Sequence, residues 1–240
     1  MELLEANVFE KPRIEVWQND RIATPRTIQD ETLRTLFPPK DARYVAHLSD
    51  SKGGVGYEVI RLKQAVDLGK LLGSKLESTT KVNGFQVYEV KNTKTWPRET
   101  ERLAYWQPNP RMIAVRQVGE GWQKYPDSVL PAVRPTVDPH WRRAFEFVSG
   151  YGECNVSERY SGLNVKNCVV GTAKRDDGTL TAVFFPDSGK RSEWSSLLEK
   201  DLKYMTAEQD TTPGHREFMN AIGGTKRWGQ GDVACVFKPK

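Results

Sequence analysis

Turn signals at short intervals are the strongest constraint that this sequence places on its fold. Gly53-Gly54, Asn83-Gly84, Pro108-Asn109-Pro110 and Asp177-Gly178 each stand between two runs rich in β-branched and aromatic residues. The flanking runs include RYVAHLS and VGYEVIRLK, STTKV and FQVYEVK, RLAYWQ and RMIAVRQV, and NCVVGTAKR and TLTAVFF. Asn-Gly and Asp-Gly tolerate the positive φ angles of two-residue hairpin turns, whose twist matches that of the strands they join. Consecutive hairpins and an antiparallel sheet follow.

Helical spacing is confined to a few stretches. TIQDETLRTLF carries Ile28, Leu33, Leu36 and Phe37; Asp67 caps a short helix that Gly73 stops; and Trp194, Leu197, Leu198, Leu202 and Met205 share one face at a 3.6-residue period. GHREFMNAI adds Phe218 and Ile222 before the stop signal Gly223-Gly224. WRRAFEFVSGYGECNV is a strand or short helix followed by a strand, and DVACVFK is the final strand.

Prolines divide the chain. Residues 1–40, broken by Pro12, Pro25, Pro38 and Pro39, form an N-terminal arm with a short helix, and 41–125 form a β-rich α+β unit. Pro126, Pro131, Pro135 and Pro139 make 126–140 a Pro-rich linker, and 141–240 form a second α+β unit. The predicted class is therefore α+β: two antiparallel-sheet units, each with helices packed on one face.

Composition excludes several classes of function. A chain of 240 residues that is 38% hydrophobic and 28% charged can bury a core without metal or disulfides. Its longest apolar runs, such as VACVF and TAVFF, fall far short of the roughly 20 residues needed to span a bilayer. The first residues lack a secretory n-region and h-region, so the cytoplasm is the default compartment, with export the alternative where a leader has been removed. The net charge is +5, with 15 Lys+Arg against 13 Asp+Glu in residues 140–240, so neither half is a basic domain.

Catalytic and metal signatures are not found. Cys154, Cys168 and Cys235 are too widely spaced for CxxC chemistry and sit in strand-like runs as small buried hydrophobes. His47, His140 and His215 have no partner at metal-ligand spacing, and His215 with Glu217 lacks the nucleophile and orienting group that catalysis requires. DSGKRS fails as a phosphate loop, since Phe184 occupies the first glycine position and Arg191 the hydroxyl position. No enzyme, metal or cofactor is expected.

The stretch GGTKRWGQG, residues 223–231, has two readings. As a hairpin, TKRW is one strand, Gly229-Gln230-Gly231 the turn and DVACVF the other strand. As a binding loop, Gly224 and Gly229 admit close backbone approach, Lys226 and Arg227 supply cations, and Trp228 a stacking face for single-stranded nucleic acid. Arg142, Arg143, Lys190 and Arg191 would extend that surface.

Two resemblances accompany these readings. IGGTKRWGQGDVACVF, between a helix and the last strand, resembles the C-terminal end of RAMP-type CRISPR RNA-binding proteins, which implies a ferredoxin-like C-terminal half and an RNA-binding loop at Gly223, Gly224, Lys226, Arg227, Gly229 and Gly231. GYEVIRLKQAVDLGKLLG, KVNGFQVYEV and AYWQPNPRMIAV, within 42–118, resemble uncharacterised, often exported, α+β proteins of planctomycete bacteria. That resemblance implies export and an oxidised pair among the three cysteines. The expected function is non-enzymatic binding: a protein-interaction or assembly module with a protein partner or homo-oligomer, or alternatively a subunit that binds single-stranded RNA through 223–231.

Overall fold

The computed structural model describes residues 3, 7, 9, 11–50, 56–82, 84–91, 102–118, 137–157, 168–205 and 226–240. Gly53-Gly54, Asn83, Pro126, Pro131, Pro135, the stretch GHREFMNAI with His215, Gly223 and Gly224 lie outside them. The chain forms two compact units, Met1–Asp138 and Pro139–Lys240. Its architecture is mixed α and β, mostly antiparallel sheet with few helices.

The first unit contains β1 (Pro12–Gln18), α1 (Glu31–Leu36), β2 (Ala42–Asp50), β3 (Gly56–Leu62), α2 (Leu68–Leu72), β4 (Leu76–Val82), β5 (Phe85–Lys91), β6 (Arg102–Asn109) and β7 (Met112–Val118). Its strand order is β1-β2-β3-β7-β6-β5-β4, and the pairs are antiparallel. Hairpin β4–β5 pairs Val82 with Phe85 across a turn in which Gly84 takes φ 87°, the positive angle that an Asn-Gly turn supplies. Asp67 caps α2 by accepting the Lys70 N–H at 3.1 Å, and Gly73 ends it at φ 48°.

Strand β1 is a departure from the expected N-terminal arm. Ile14 and Val16 are buried while Arg13 is exposed, and the strand pairs with β2 from Pro12↔Asp50 to Gln18↔Tyr44. Proline is acceptable as the first residue of a strand, so Pro12 opens β1 where proline counting suggested a break.

Helices α1 and α2 cover one sheet face, placing Ile28, Leu33, Phe37, Leu68 and Leu72 against Val45, Ile60, Leu62, Val90, Tyr105 and Ile113. On the other face Tyr57 and Trp106 are buried with ring centroids 5.4 Å apart, and Phe9 meets Tyr57 at 5.7 Å.

The second unit contains α3 (Pro139–Val148), β8 (Glu153–Ser157), β9 (Val169–Arg175), β10 (Gly178–Phe184), α4 (Ser188–Met205), β11 (Lys226–Gln230) and β12 (Val233–Pro239), in strand order β11-β12-β10-β9-β8. Pro139, expected in the linker, opens α3, because proline at the first helical position costs no intrahelical hydrogen bond. Trp141, Ala144, Phe145 and Val148 are buried at offsets 0, 3, 4 and 7, which makes the segment a helix rather than a strand.

The two helices of this unit lie on opposite faces, contrary to the expectation of one covered face. A Cβ on Gly171 would stand 2.8 Å from Val148 Cγ1, so α3 presses on that side of β9. Its neighbour Val170 points the other way, into a cluster with Val183, Phe185, Ala234 and Trp194 of α4. The described order, α3-β8-β9-β10-α4-β11-β12, also differs from the βαββαβ order of a ferredoxin-like fold. Here the first helix precedes its strand, and β8, β9 and β10 pair consecutively.

Candidate binding groove beside the last hairpin

Within GGTKRWGQG the backbone is described from Lys226 onward. Lys226↔Phe237, Arg227↔Val236, Trp228↔Cys235, Gly229↔Ala234 and Gln230↔Val233 are antiparallel partners, so residues 226–230 are a strand. Gly229 belongs to that strand. The turn is Gly231-Asp232, with Gly231 at φ 59°.

Asp232 ties this turn to the rest of its unit from both ends of the residue. Its carbonyl accepts the Phe185 N–H at 2.8 Å, and its Oδ2 accepts from Arg143 Nη1 of α3 at 2.7 Å. The Arg143 hydrogen bond holds the Asp232 carboxyl below its ordinary range. The same guanidinium lies 5.5 Å over the Phe184 ring.

Beside this contact is a groove of about 610 Å³. Phe147, Phe184, Val233 and Cys235 make its apolar wall, while Arg143, Glu146 and Gln230 bring polar groups to it. Phe147 falls off the buried stripe of α3 and remains 41% exposed, with its ring edge-on to Phe184 at 5.8 Å. Arg143 and Phe147 are four residues apart, hence neighbours on one flank of the helix. Burial raises the Cys235 thiol, which leaves it an apolar wall group at neutral pH.

The other expected basic residues are distributed around the unit. Arg142 is exposed on α3. Lys190 is paired with Glu193 at 2.8 Å near the start of α4. Arg191 reaches Gly229: its Nη1 lies 2.6 Å from where a Cβ on that glycine would be, and its Nε is buried with no hydrogen-bond partner among the described residues. Lys226, Arg227 and Trp228 are placed by strand register, and Gly224 lies outside the described residues. α3 and α4 occupy opposite faces, so Arg142 and Arg143 do not share a sheet face with Lys190 and Arg191.

No protein-family model matches this chain, and no curated protein matches it. Among solved structures it is similar to TP0453, a Treponema protein, in two crystal forms. Form I has TM-score 0.49 at 8% identity, covering 99% of this chain and 91% of that one. Form III has TM-score 0.47 at 10% identity, covering 99% and 92%.

Other chemistry-bearing groups have structural work. In the first unit Glu58 accepts the N–H groups of Gln29 at 2.8 Å and Asp30 at 3.1 Å, while Asp30 caps α1 through Leu33 N–H at 2.7 Å and accepts from Tyr105 Oη at 3.1 Å. Burial is the main cause that raises both carboxyls above their ordinary values. The sequence reading missed this cluster; the available signal was a charged Glu58 at a core-facing strand position. Among the described residues no group of three or more His, Cys, Asp or Glu is placed to hold a metal, and no helix is long and apolar enough to cross a membrane. The expected oxidised cysteine pair is not formed: no disulfide joins Cys154, Cys168 and Cys235, and all three are buried.

Proposed function

We propose that this chain is a binding protein built of two antiparallel-sheet units, and that the groove beside the β11–β12 hairpin receives an apolar segment of a protein partner. The observation that carries this reading is Phe147: a large aromatic side chain, 41% exposed, set edge-on to Phe184 in a concave surface. Aromatic anchors in pockets ringed by polar groups dominate the energetics of protein interfaces. Glu146, Gln230 and the Arg143–Asp232 pair supply such a rim.

The RNA reading draws less support from the same region. Arg143 and Lys190 already have carboxylate partners at 2.7 and 2.8 Å. A polyanion would have to displace them, and single-strand binding rests on a continuous cationic track with accessible stacking faces.

Photo-crosslinking tests the groove. A benzophenone side chain placed at position 147 in the full chain, expressed in the native host, should yield one discrete protein adduct that is missing when the probe is at exposed Lys81. A crosslinking pattern at 147 no different from that at 81 would remove the groove's assigned role.

A further inference from the structure

We infer that the outer edge of β11 is a second contact surface, one that takes an extended, acidic segment of a protein partner by main-chain pairing. This rests on the reading that the protein works by binding a protein. β11 stands at the end of the strand order, with β12 on one side and no described strand on the other. The backbone N–H and C=O groups along such an edge are a template for an added strand.

Gly229 and Arg191 make this edge selective. Any side chain on Gly229 would occupy the place of the Arg191 guanidinium, whose Nη1 lies 2.6 Å from that Cβ position. The glycine thus lets α4 lay a cation against the edge strand. Arg191 Nε is buried and lacks an acceptor among the described residues, and a buried donor without a partner is destabilising until one arrives. A carboxylate arriving beside Gly229 would supply charge for the guanidinium, and the adjustment of Arg191 that engages it would give Nε an acceptor.

Charge chooses among the occupants. β11 contributes Lys226 and Arg227 to the same short strand, so pairing with the β11 of a second copy would bring cation toward cation, which is unfavourable across strands. An acidic strand reverses that sign. RNA would also meet the charge, but it has no main-chain pairing to offer an open strand edge.

The test is fluorescence anisotropy with the full chain and a labelled Val-Glu repeat peptide of about eight residues, an ordinary strand length. The peptide should bind, and a Val-Lys repeat should not. Arg191→Gln should weaken binding roughly ten- to a hundredfold, the loss of one charge-assisted hydrogen bond. Gly229→Ala should weaken it as well; its methyl displaces the flexible end of Arg191 and needs only a few tenths of an ångström from the Val233 carbonyl oxygen, which lies 3.1 Å from it. N-methylation of alternate peptide amides, in the phase that faces β11, should abolish binding.

Equal binding of the N-methylated and Val-Lys peptides would overturn the inference, as would tighter binding of oligouridylate than of the Val-Glu peptide. The two surfaces separate cleanly. An adduct at position 147 without peptide binding sinks the edge alone, whereas peptide binding without the adduct sinks the groove alone.

Discussion

Asp30 and Glu58 show how much one pair of residues can bind together. Glu58 fastens the entry of α1 to the sheet through two backbone N–H groups, and Asp30 starts the helix while accepting the Tyr105 hydroxyl. Both carboxyls sit above their ordinary values of 3.8 and 4.5, chiefly through burial. A raised folded value means that the folded state holds more protons than the unfolded state in the window between the two values. Stability from these groups is therefore full below the ordinary values and is lost as pH rises through the raised ones. His47, lowered mainly by burial from 6.5, works in the opposite sense: its contribution is full above 6.5 and lost as pH falls through its lowered value. Comparing the native chain with Asp30→Asn separates the two, because asparagine keeps the cap but cannot ionise. Urea midpoints measured from pH 4 to 7 should fall less with rising pH in Asp30→Asn than in the native chain. Identical pH profiles would show that Asp30 does not titrate in its cluster.

At the scale of elements, glycines reveal which turns are local and which are held by packing. Gly84 has φ 87° and open space where a Cβ would sit, so Gly84→Ala should cost about 1–2 kcal/mol of backbone strain. Gly178 is different. A Cβ there would lie 2.2 Å from the Lys238 carbonyl oxygen of paired strand β12, so Gly178→Ala should cost about 3 kcal/mol or more by forcing β10 from β12. Denaturant midpoints of the two variants give the comparison, and equal losses would contradict it. Both glycines were visible in the sequence as Asn-Gly and Asp-Gly turns. The difference between them was not, because the β10–β12 pairing joins residues separated by all of α4 and β11. The same distance hid the role of Gly229, which in the sequence is one more glycine of a turn and in the sheet makes room for Arg191.

For the whole molecule, the cysteines provide a test of burial throughout the second unit. Cys154 is pushed up to about 12 by burial, Cys235 is raised for the same reason, and Cys168 is fully buried. A thiol reagent should react slowly with the native chain and then release three equivalents when the chain unfolds. Rapid native reaction at neutral pH would mean that these strands open far more readily than their packing implies.

Short-range sterics and periodicity determined much of this protein from its sequence alone. The β4–β5 and β9–β10 hairpins, the Asp67 cap, the Gly73 stop and the helix α4 follow from residues within a few positions of one another. β1 was equally legible in the alternation of Ile14 and Val16, although Pro12 and its neighbours drew attention to breaks. Tertiary structure decided everything that depends on which faces meet. It put α3 and α4 on opposite sides of one sheet, joined Arg143 to Asp232 across 89 residues, and left Phe147 uncovered beside Phe184. The physical reason is that local pattern sets the conformation of a segment, whereas burial is settled only by partners brought from distant parts of the chain.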